Sequence, residues 1–172
     1  MLVLRCTKKL QTAIRIKKPE LVEPDAEIKG FNAWHLNLVE INGYPCLLAA
    51  NDQTLFNFLI ADIPQLNTEQ LVELFKGYLH CVLAAEGFDQ SLINNLMNDF
   101  ADVRFANTNN RRITGSMKEL AFMYSYHLED EGIHQLPKII KKMNRTILGM
   151  IDTFPILKLH DLFGLERPKI EW

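Results

Sequence analysis

The sequence predicts an α+β fold, in which an antiparallel meander of three to four strands in the N-terminal half packs against four to five helices in the C-terminal half. Short apolar runs between residues 33 and 61 follow the period of two that is typical of strands. After residue 67 the apolar residues recur at the three-and-four spacing of amphipathic helices. Strands followed by helices favour the α+β class. We expect a single domain that spans residues 1–172.

The clearest strand signal is AWHLNLVEI, residues 33–41, where Trp34, Leu36 and Leu38 fall on one face. Asn42 and Gly43 follow, a dipeptide that suits the positive φ angles of a tight hairpin turn. Residues 44–50 are then expected to return as a second strand. Residues 54–61 are expected to form a third strand, with a helix as the alternative, because short apolar runs suit either. The apolar start, residues 1–6, is predicted to join this meander, and residues 102–106 to form a short edge strand.

The helical half contains several start signals. A polar capping residue before an apolar stripe, or a proline in the first turn, marks the beginning of a helix. On this basis the predicted helix starts lie at Asn67, Asp89, Ser116, Pro137 and Pro155.

Composition narrows the functional classes. The chain has 48% hydrophobic and 23% charged residues, which excludes a disordered chain or a coiled-coil rod. A formal net charge of -2 excludes a globally basic nucleic-acid binder but leaves room for a local basic patch. Positive charge is concentrated in three segments, residues 5–18, 111–112 and 138–145, and much of the negative charge in residues 20–27 and 129–131. The alternative to a binding patch is a set of solvated faces.

The sequence does not support a membrane protein or a metal-binding protein. It contains no apolar run of about 20 residues and no signal peptide, so we expect a cytoplasmic protein without a membrane partner. The five histidines and three cysteines are scattered, without the spacing of a metal site. We therefore expect no metal and no cofactor.

The segment NTNNRRITGSM, residues 107–117, carries the strongest chemical signal. It reads as a polar loop that leads into a helix. Arg111 and Arg112 each offer a guanidinium fork that can grip a phosphate or a carboxylate in two places. Ser116 would add a hydroxyl beside the unpaired N–H groups of the first helical turn, where the helix dipole favours an anion. The alternative is a capped loop whose arginines pair with surface acids.

These observations predict a non-catalytic binding module for a phosphate-bearing ligand, either a nucleotide or a nucleic acid. The predicted ligand-binding residues are Arg5, Asn110, Arg111, Arg112, Ser116 and Arg145. For this prediction to hold, the arginines must face one cleft and must not already be engaged by buried acids.

Two alternatives from other functional classes remain. The first is a protein-interaction or regulatory component, such as an antitoxin-like partner, acting with a protein partner or as a homo-oligomer. The second is a hydrolase or transferase with an unrecognised active site that uses Asn51, Asp52, Arg111 and Ser116. No catalytic residue can be assigned from a known motif, so the sequence favours a protein that is not an enzyme.

Several segments resemble a family of uncharacterised bacterial proteins that forms a domain of unknown function. They are the opening MLVLRCTKKL, the block 108–117 with its Asn-Arg-x-x-x-Gly-Ser-Met pattern, and Met143-Asn144-Arg145-Thr146. The chain departs from the family pattern at Arg112, where serine is expected, and at Ile147, where proline is expected. The resemblance implies no activity.

Overall fold

A computed structural model describes residues 1–22, 28 and 30–170. The centre of the predicted acidic loop, residues 23–27, lies outside the described residues. Within them the chain forms a six-stranded sheet in the order β2-β6-β1-β3-β4-β5. The strands are β1 (Leu2–Cys6), β2 (Leu21–Val22), β3 (Ala33–Ile41), β4 (Tyr44–Asn51), β5 (Asn57–Ile60) and β6 (Val103–Asn107).

The sheet is mixed, which corrects the prediction of an antiparallel meander. The antiparallel part consists of β3, β4 and β5, whereas β1 pairs in parallel with both β3 and β6, and β2 pairs in parallel with β6. The predicted edge strand β6 lies inside the sheet, between β2 and β1. All five residues of β1 are buried, because a strand in the parallel part of a sheet is covered on both faces.

The predicted hairpin is confirmed. Asn42 and Gly43 have φ angles of 52° and 81°, and they connect β3 to β4 with Ile41 opposite Tyr44. Positive φ at both turn positions matches the right-handed twist of the two strands.

Six α-helices occur in the described residues, and five of them follow β5 along the chain. Asn67 and Gln70 form the predicted capping box at the start of the second helix. The helices are α1 (Lys8–Ala13), α2 (Thr68–Ala85), α3 (Gln90–Asp99), α4 (Arg111–Glu131), α5 (Leu136–Met143) and α6 (Pro155–Leu162).

Helix α4 begins at Arg111, five residues before the predicted start at Ser116. The side chain of Asn110 accepts hydrogen bonds from the N–H groups of Arg112 (2.9 Å) and Ile113 (3.3 Å), and so provides the N-cap. The predicted loop is therefore helical from Arg111 onward. Burial of Ile113 against the core stabilises these five extra residues, which outweighs the weak preference of Thr114 and Gly115 for loops.

An aromatic cluster fills one side of the sheet. Trp34 packs edge-on against Phe31 and Phe75, with ring centroids 5.2 and 5.3 Å away, and against Phe58 at 5.8 Å. The indole N–H donates to the Phe31 carbonyl at 2.6 Å, so the buried ring leaves no donor unpaired.

The opposite face carries a row of polar residues. The row has three polar members on adjacent strands: Arg5, His35 and Asn57. Arg5 is paired with His35, and His35 is linked to Asn57 through Ala50, so these side chains share one face. Helix α4 covers this face: the buried Tyr124 hydroxyl donates to Asn57 Oδ1 at 2.8 Å. Burial raises the pKa of Tyr124 well above its ordinary value, so the hydroxyl remains a neutral donor.

One side chain caps part of the β5 edge of the sheet. Strand β5 is the last strand, and the backbone N–H and C=O of Asn57 point away from β4. The Asn144 side-chain amide accepts from that N–H at 2.9 Å and donates to that C=O at 2.7 Å. Asn144 thus takes the place of a residue on a further strand, and it prevents another chain from pairing there.

Candidate functional site

Two of the predicted arginines are engaged by acids within the protein. Arg5 is 3% exposed, and its Nε lies 3.0 Å from Asp52 Oδ2. Both terminal nitrogens of Arg145 donate to Glu86, at 3.0 and 2.7 Å, and the Glu86 side chain is only 2% exposed. These guanidinium groups hold the structure together, and a ligand would have to displace a carboxylate to reach them.

The other predicted residues lie at the start of α4. Arg111 and Arg112 are exposed, and they form no ion pair with any residue that the structure describes. Ser116 is buried at 7% exposure on the side of α4 that faces the sheet. Apart from the cap that Asn110 provides, no hydrogen bond joins any two of the six predicted residues in the described part of the chain. Their roles in binding remain predictions.

A cavity of about 790 Å³ lies nearby, at the C-terminal ends of β1, β6 and β2. Its wall includes three cationic side chains, four polar ones and an apolar strip. The cations are Lys8, Arg15 and Lys18; the polar residues are Gln11, Thr12, Asn107 and Thr108; the apolar residues are Cys6, Ile16, Leu21 and Val22. In open α/β sheets, ligands characteristically bind beyond the C-terminal ends of parallel strands.

The cations of this cavity have no acidic partner among the described residues. Lys8, Arg15 and Lys18 are exposed and form no ion pair there, in contrast to Arg5 and Arg145. A cation that is solvated and not paired can exchange water for an anionic ligand without breaking an internal bond.

Helix α1 fixes the shape of the cavity. Gln11 Nε2 donates to the Cys6 carbonyl at 2.7 Å and to Asn107 Oδ1 at 2.9 Å, which ties the helix to the ends of β1 and β6. The cavity wall is therefore anchored to the sheet.

Arg15 occupies a backbone position that favours glycine. Its φ is 57°, and the bonds Arg15 N–H to Thr12 C=O (3.2 Å) and Ile16 N–H to Gln11 C=O (3.1 Å) form a Schellman motif at the end of α1. A side chain at this left-handed position costs about 1–2 kcal/mol relative to the right-handed region. A large cation is thus present where the local backbone would be more stable with glycine.

A second cavity of about 440 Å³ adjoins the first at Arg15. It also contains Glu20, Asn67 and Thr68, from the segment before β2 and the start of α2. Arg15 lines both cavities.

The alternative enzymatic residues are occupied by structural bonds. Asn51 Oδ1 accepts from Gln53 N–H, Thr54 N–H and Thr54 Oγ1–H, while its amide donates to the carbonyls of Gly30 and Ala33. This side chain therefore shapes the turn between β4 and β5.

That turn places Asp52 between two buried side chains. Asp52 Oδ2 accepts a hydrogen bond from the Nε–H of Arg5, and Asp52 Oδ1 lies 2.6 Å from His35 Nδ1. His35 Nε2 is buried and has no hydrogen-bond partner among the described residues. Neither of the two cavities described above is lined by His35 or Asp52.

The thiol of Cys6, which lines the cavity, is a poor nucleophile near neutral pH. Burial raises its pKa to about 12, so the thiolate form is scarce near neutral pH. No group of three or more His, Cys, Asp or Glu residues able to hold a metal ion occurs in the described residues. Among those same residues, no helix has both the length and the apolar character needed to cross a membrane.

The predicted ligand-binding residues did not include the N-terminal cations of this cavity, Lys8, Arg15 and Lys18. Residues 5–18 contain six Lys or Arg residues and no acid, and this signal was visible in the sequence. What the sequence does not give is which of them face a common cavity, because that depends on how α1 packs beside β6.

The fold and the cavity together describe a mixed α/β protein with a cationic pocket beside its parallel strands. Residues 3–155 match the model of a family described as Domain of unknown function (DUF6933), and the chain belongs to this family. The match runs from β1 to the first residue of α6 and includes all residues of the 790 Å³ cavity. No curated protein matches the chain. The resemblance to a family of unknown function is thereby confirmed.

Proposed function

We propose that the protein is a non-catalytic binding module that holds a phosphate-bearing ligand, a nucleotide or a nucleic acid, in the cavity between α1 and the C-terminal ends of β1, β6 and β2. The observation that carries this proposal is the set of three cations, Lys8, Arg15 and Lys18, around one cavity without an acidic partner in the described residues.

The chemistry of the wall fits such a ligand. Two ammonium groups and one guanidinium group supply charge-assisted hydrogen bonds to phosphate oxygens. The hydroxyl group of Thr108 adds a neutral donor, and the apolar strip of β2 offers a surface for a sugar or a base. The predicted contribution of Arg111 and Arg112 belongs to the same proposal, since α4 begins three residues after the cavity residue Thr108.

The test is a fluorescence titration with two probes, a fluorescent ATP analogue and a 5′-fluorescein-labelled oligothymidylate of eight nucleotides. We expect at least one probe to bind, with an affinity that falls as salt rises. Three phosphate contacts to a single strand give a log–log salt slope of about -2, which is roughly a 16-fold loss between 50 and 200 mM.

Matched variants separate the cavity from general electrostatics. Lys8→Ala and Lys18→Ala each remove a cavity cation, and we expect each to weaken binding by about tenfold or more. Lys9→Ala and Lys17→Ala remove the same charge from exposed neighbours that do not line the cavity, and we expect changes below about twofold. Equal losses in both pairs, or no binding of either probe at 50 mM salt, would overturn the proposal.

A further inference from the structure

Helix α4 presents two large aromatic side chains to solvent. Phe122 is 75% exposed and Tyr126 is 63% exposed, and they are four residues apart on one face. The opposite face of the helix is the one that packs on the sheet. Exposed aromatic pairs of this kind are characteristic of interaction surfaces.

The charges at the two ends of α4 oppose the helix dipole. Arg111 and Arg112 lie in the first turn, which has no acid, and Glu129 and Asp130 lie in the last turn, which has no base. A helix dipole favours the reverse arrangement. All four side chains are exposed and form no ion pair within the described part of the chain, whereas neighbouring Glu131 is paired with Lys142.

A glycine interrupts the same exposed face. Gly115 lies in the helix interior, where glycine is unfavourable, and a Cβ added to it would meet nothing within 4 Å. Packing within the chain therefore does not require this glycine. It leaves a shallow depression one turn after Arg111, on the side that carries Phe122 and Tyr126.

We infer that this face of α4 is a homodimer interface, in which the α4 helices of two copies pack antiparallel across a two-fold axis that crosses the exposed face between Glu119 and Phe122. In that arrangement, two residues that lie opposite each other across the axis have residue numbers whose sum is about 241. Tyr126 of one copy then lies over Gly115 of the other. The two arginines of the first turn face the two acids, Glu129 and Asp130, of the last turn.

A second copy fits this face better than a polyanion does. The face is basic at one end and acidic at the other, so it is complementary to itself in the antiparallel orientation, as a two-fold interface requires. A nucleic acid would meet the acids at the C-terminal end. Antiparallel pairing also brings the charges of the partner to the helix ends where the dipole favours them.

The interface is modest in size. Helix α4 has 21 residues and is therefore about 31 Å long. One helix pair buries an area at the lower end of specific interfaces, so we expect a dimer that dissociates on dilution in the micromolar range. Lys8, Arg15 and Lys18 of the α1 cavity lie outside this face, and the two proposals share only Arg111 and Arg112, which do not line the cavity. The dimer is measured without a phosphate-bearing ligand, so its failure and the failure of the proposed function are distinguishable.

The first test is sedimentation velocity of the full chain from about 1 to 300 μM, with Gly115→Gln as the diagnostic variant. Filling the depression should raise the dimer dissociation constant by about tenfold or more. The same change favours the helix, so the melting temperature of the monomer should rise or stay constant. Gly77→Gln is the control: Gly77 is also exposed in a helix interior with nothing within 4 Å of an added Cβ, and its replacement should leave the dimer unchanged.

A charge swap gives the second test. Arg112→Glu should weaken the dimer by about tenfold, and adding Asp130→Arg should restore it, because the double variant rebuilds the pair with reversed signs. Both substitutions suit the helix dipole, so unfolding would not explain a loss. A chain that stays monomeric at 300 μM would overturn the inference. So would a dimer that tolerates Gly115→Gln, or a double variant as weak as Arg112→Glu alone.

Discussion

Replacing Asn144 by alanine tests how this side chain caps the β5 edge of the sheet. Among the described residues, Asn144 is the only side chain that pairs the outward N–H and C=O of Asn57, at 2.9 and 2.7 Å, and the change removes it. The Ile140 carbonyl keeps a second donor, the backbone N–H of residue 144, so it is not left unpaired. Two buried backbone groups thus lose their partner, and each costs about 1–3 kcal/mol.

We therefore expect Asn144→Ala to lower the free energy of unfolding by about 2–5 kcal/mol, which for a chain of this size is roughly 4 to 20 °C in melting temperature. Urea unfolding followed by circular dichroism gives the value. Asn95→Ala is the control, because Asn95 is exposed on α3 and its side chain has no hydrogen bond to the described residues; it should change stability by less than about 0.5 kcal/mol. Equal effects of the two variants would refute the role assigned to Asn144.

Asn144→Asp adds a pH signature to the same test. A carboxylate at this site would face the carbonyls of Asn57 and Ile140, and burial would raise its pKa above the unfolded value of about 4. A raised pKa of an acid means that stability is lost as the pH rises from the unfolded pKa toward the folded one. The variant should therefore be less stable at pH 7 than at pH 4.5, relative to the wild-type protein at each pH. A penalty independent of pH would contradict this placement.

Three further variants probe the interior. Glu86→Gln should destabilise the fold by about 1–3 kcal/mol in urea unfolding, because it leaves a partly buried guanidinium group without its carboxylate; a neutral effect would show that the pair is dispensable. Tyr124→Phe should cost about 1–2 kcal/mol by the same measurement, since one buried acceptor loses its donor. Iodoacetamide at pH 8 should modify exposed Cys81 and spare Cys6, whose pKa is about 12; rapid labelling of both in the native protein would contradict the burial of β1.

The local elements were predictable where the signal is local. The hairpin at Asn42 and Gly43, the capping box at Asn67 and the proline at the start of α6 each depend on backbone preferences of a few adjacent residues. The sequence predicts the start of α4 five residues too late. Asn110 can cap the helix only if the polar stretch after it is helical, and the local pattern favours a loop there. Tertiary burial of Ile113 decides that, and it is not visible in the local pattern.

The parallel pairing of β1 with β3 and β6, and of β2 with β6, was beyond the sequence. Parallel neighbours of β1 are brought together by long connections, and the sequence of β1 is compatible with either orientation. The ion pairs of two predicted site residues were beyond the sequence for a related reason. Arg5 and Arg145 have partners that are 47 and 59 residues away, at Asp52 and Glu86, and only the fold reveals that they are engaged.

Arg15→Gly tests the central claim, that the cavity beside α1 is a phosphate-binding site, in one experiment. The residue has φ 57°, so glycine relieves the backbone and should stabilise the protein by about 0.5–1 kcal/mol in urea unfolding. The same change removes the cation shared by both cavities. For whichever probe the wild-type protein binds, we predict that the variant binds it with an affinity at least about tenfold lower at 50 mM salt. The gain in stability should accompany this loss. An affinity within twofold of wild type in the stabilised variant would contradict the assignment of this cavity as the ligand site.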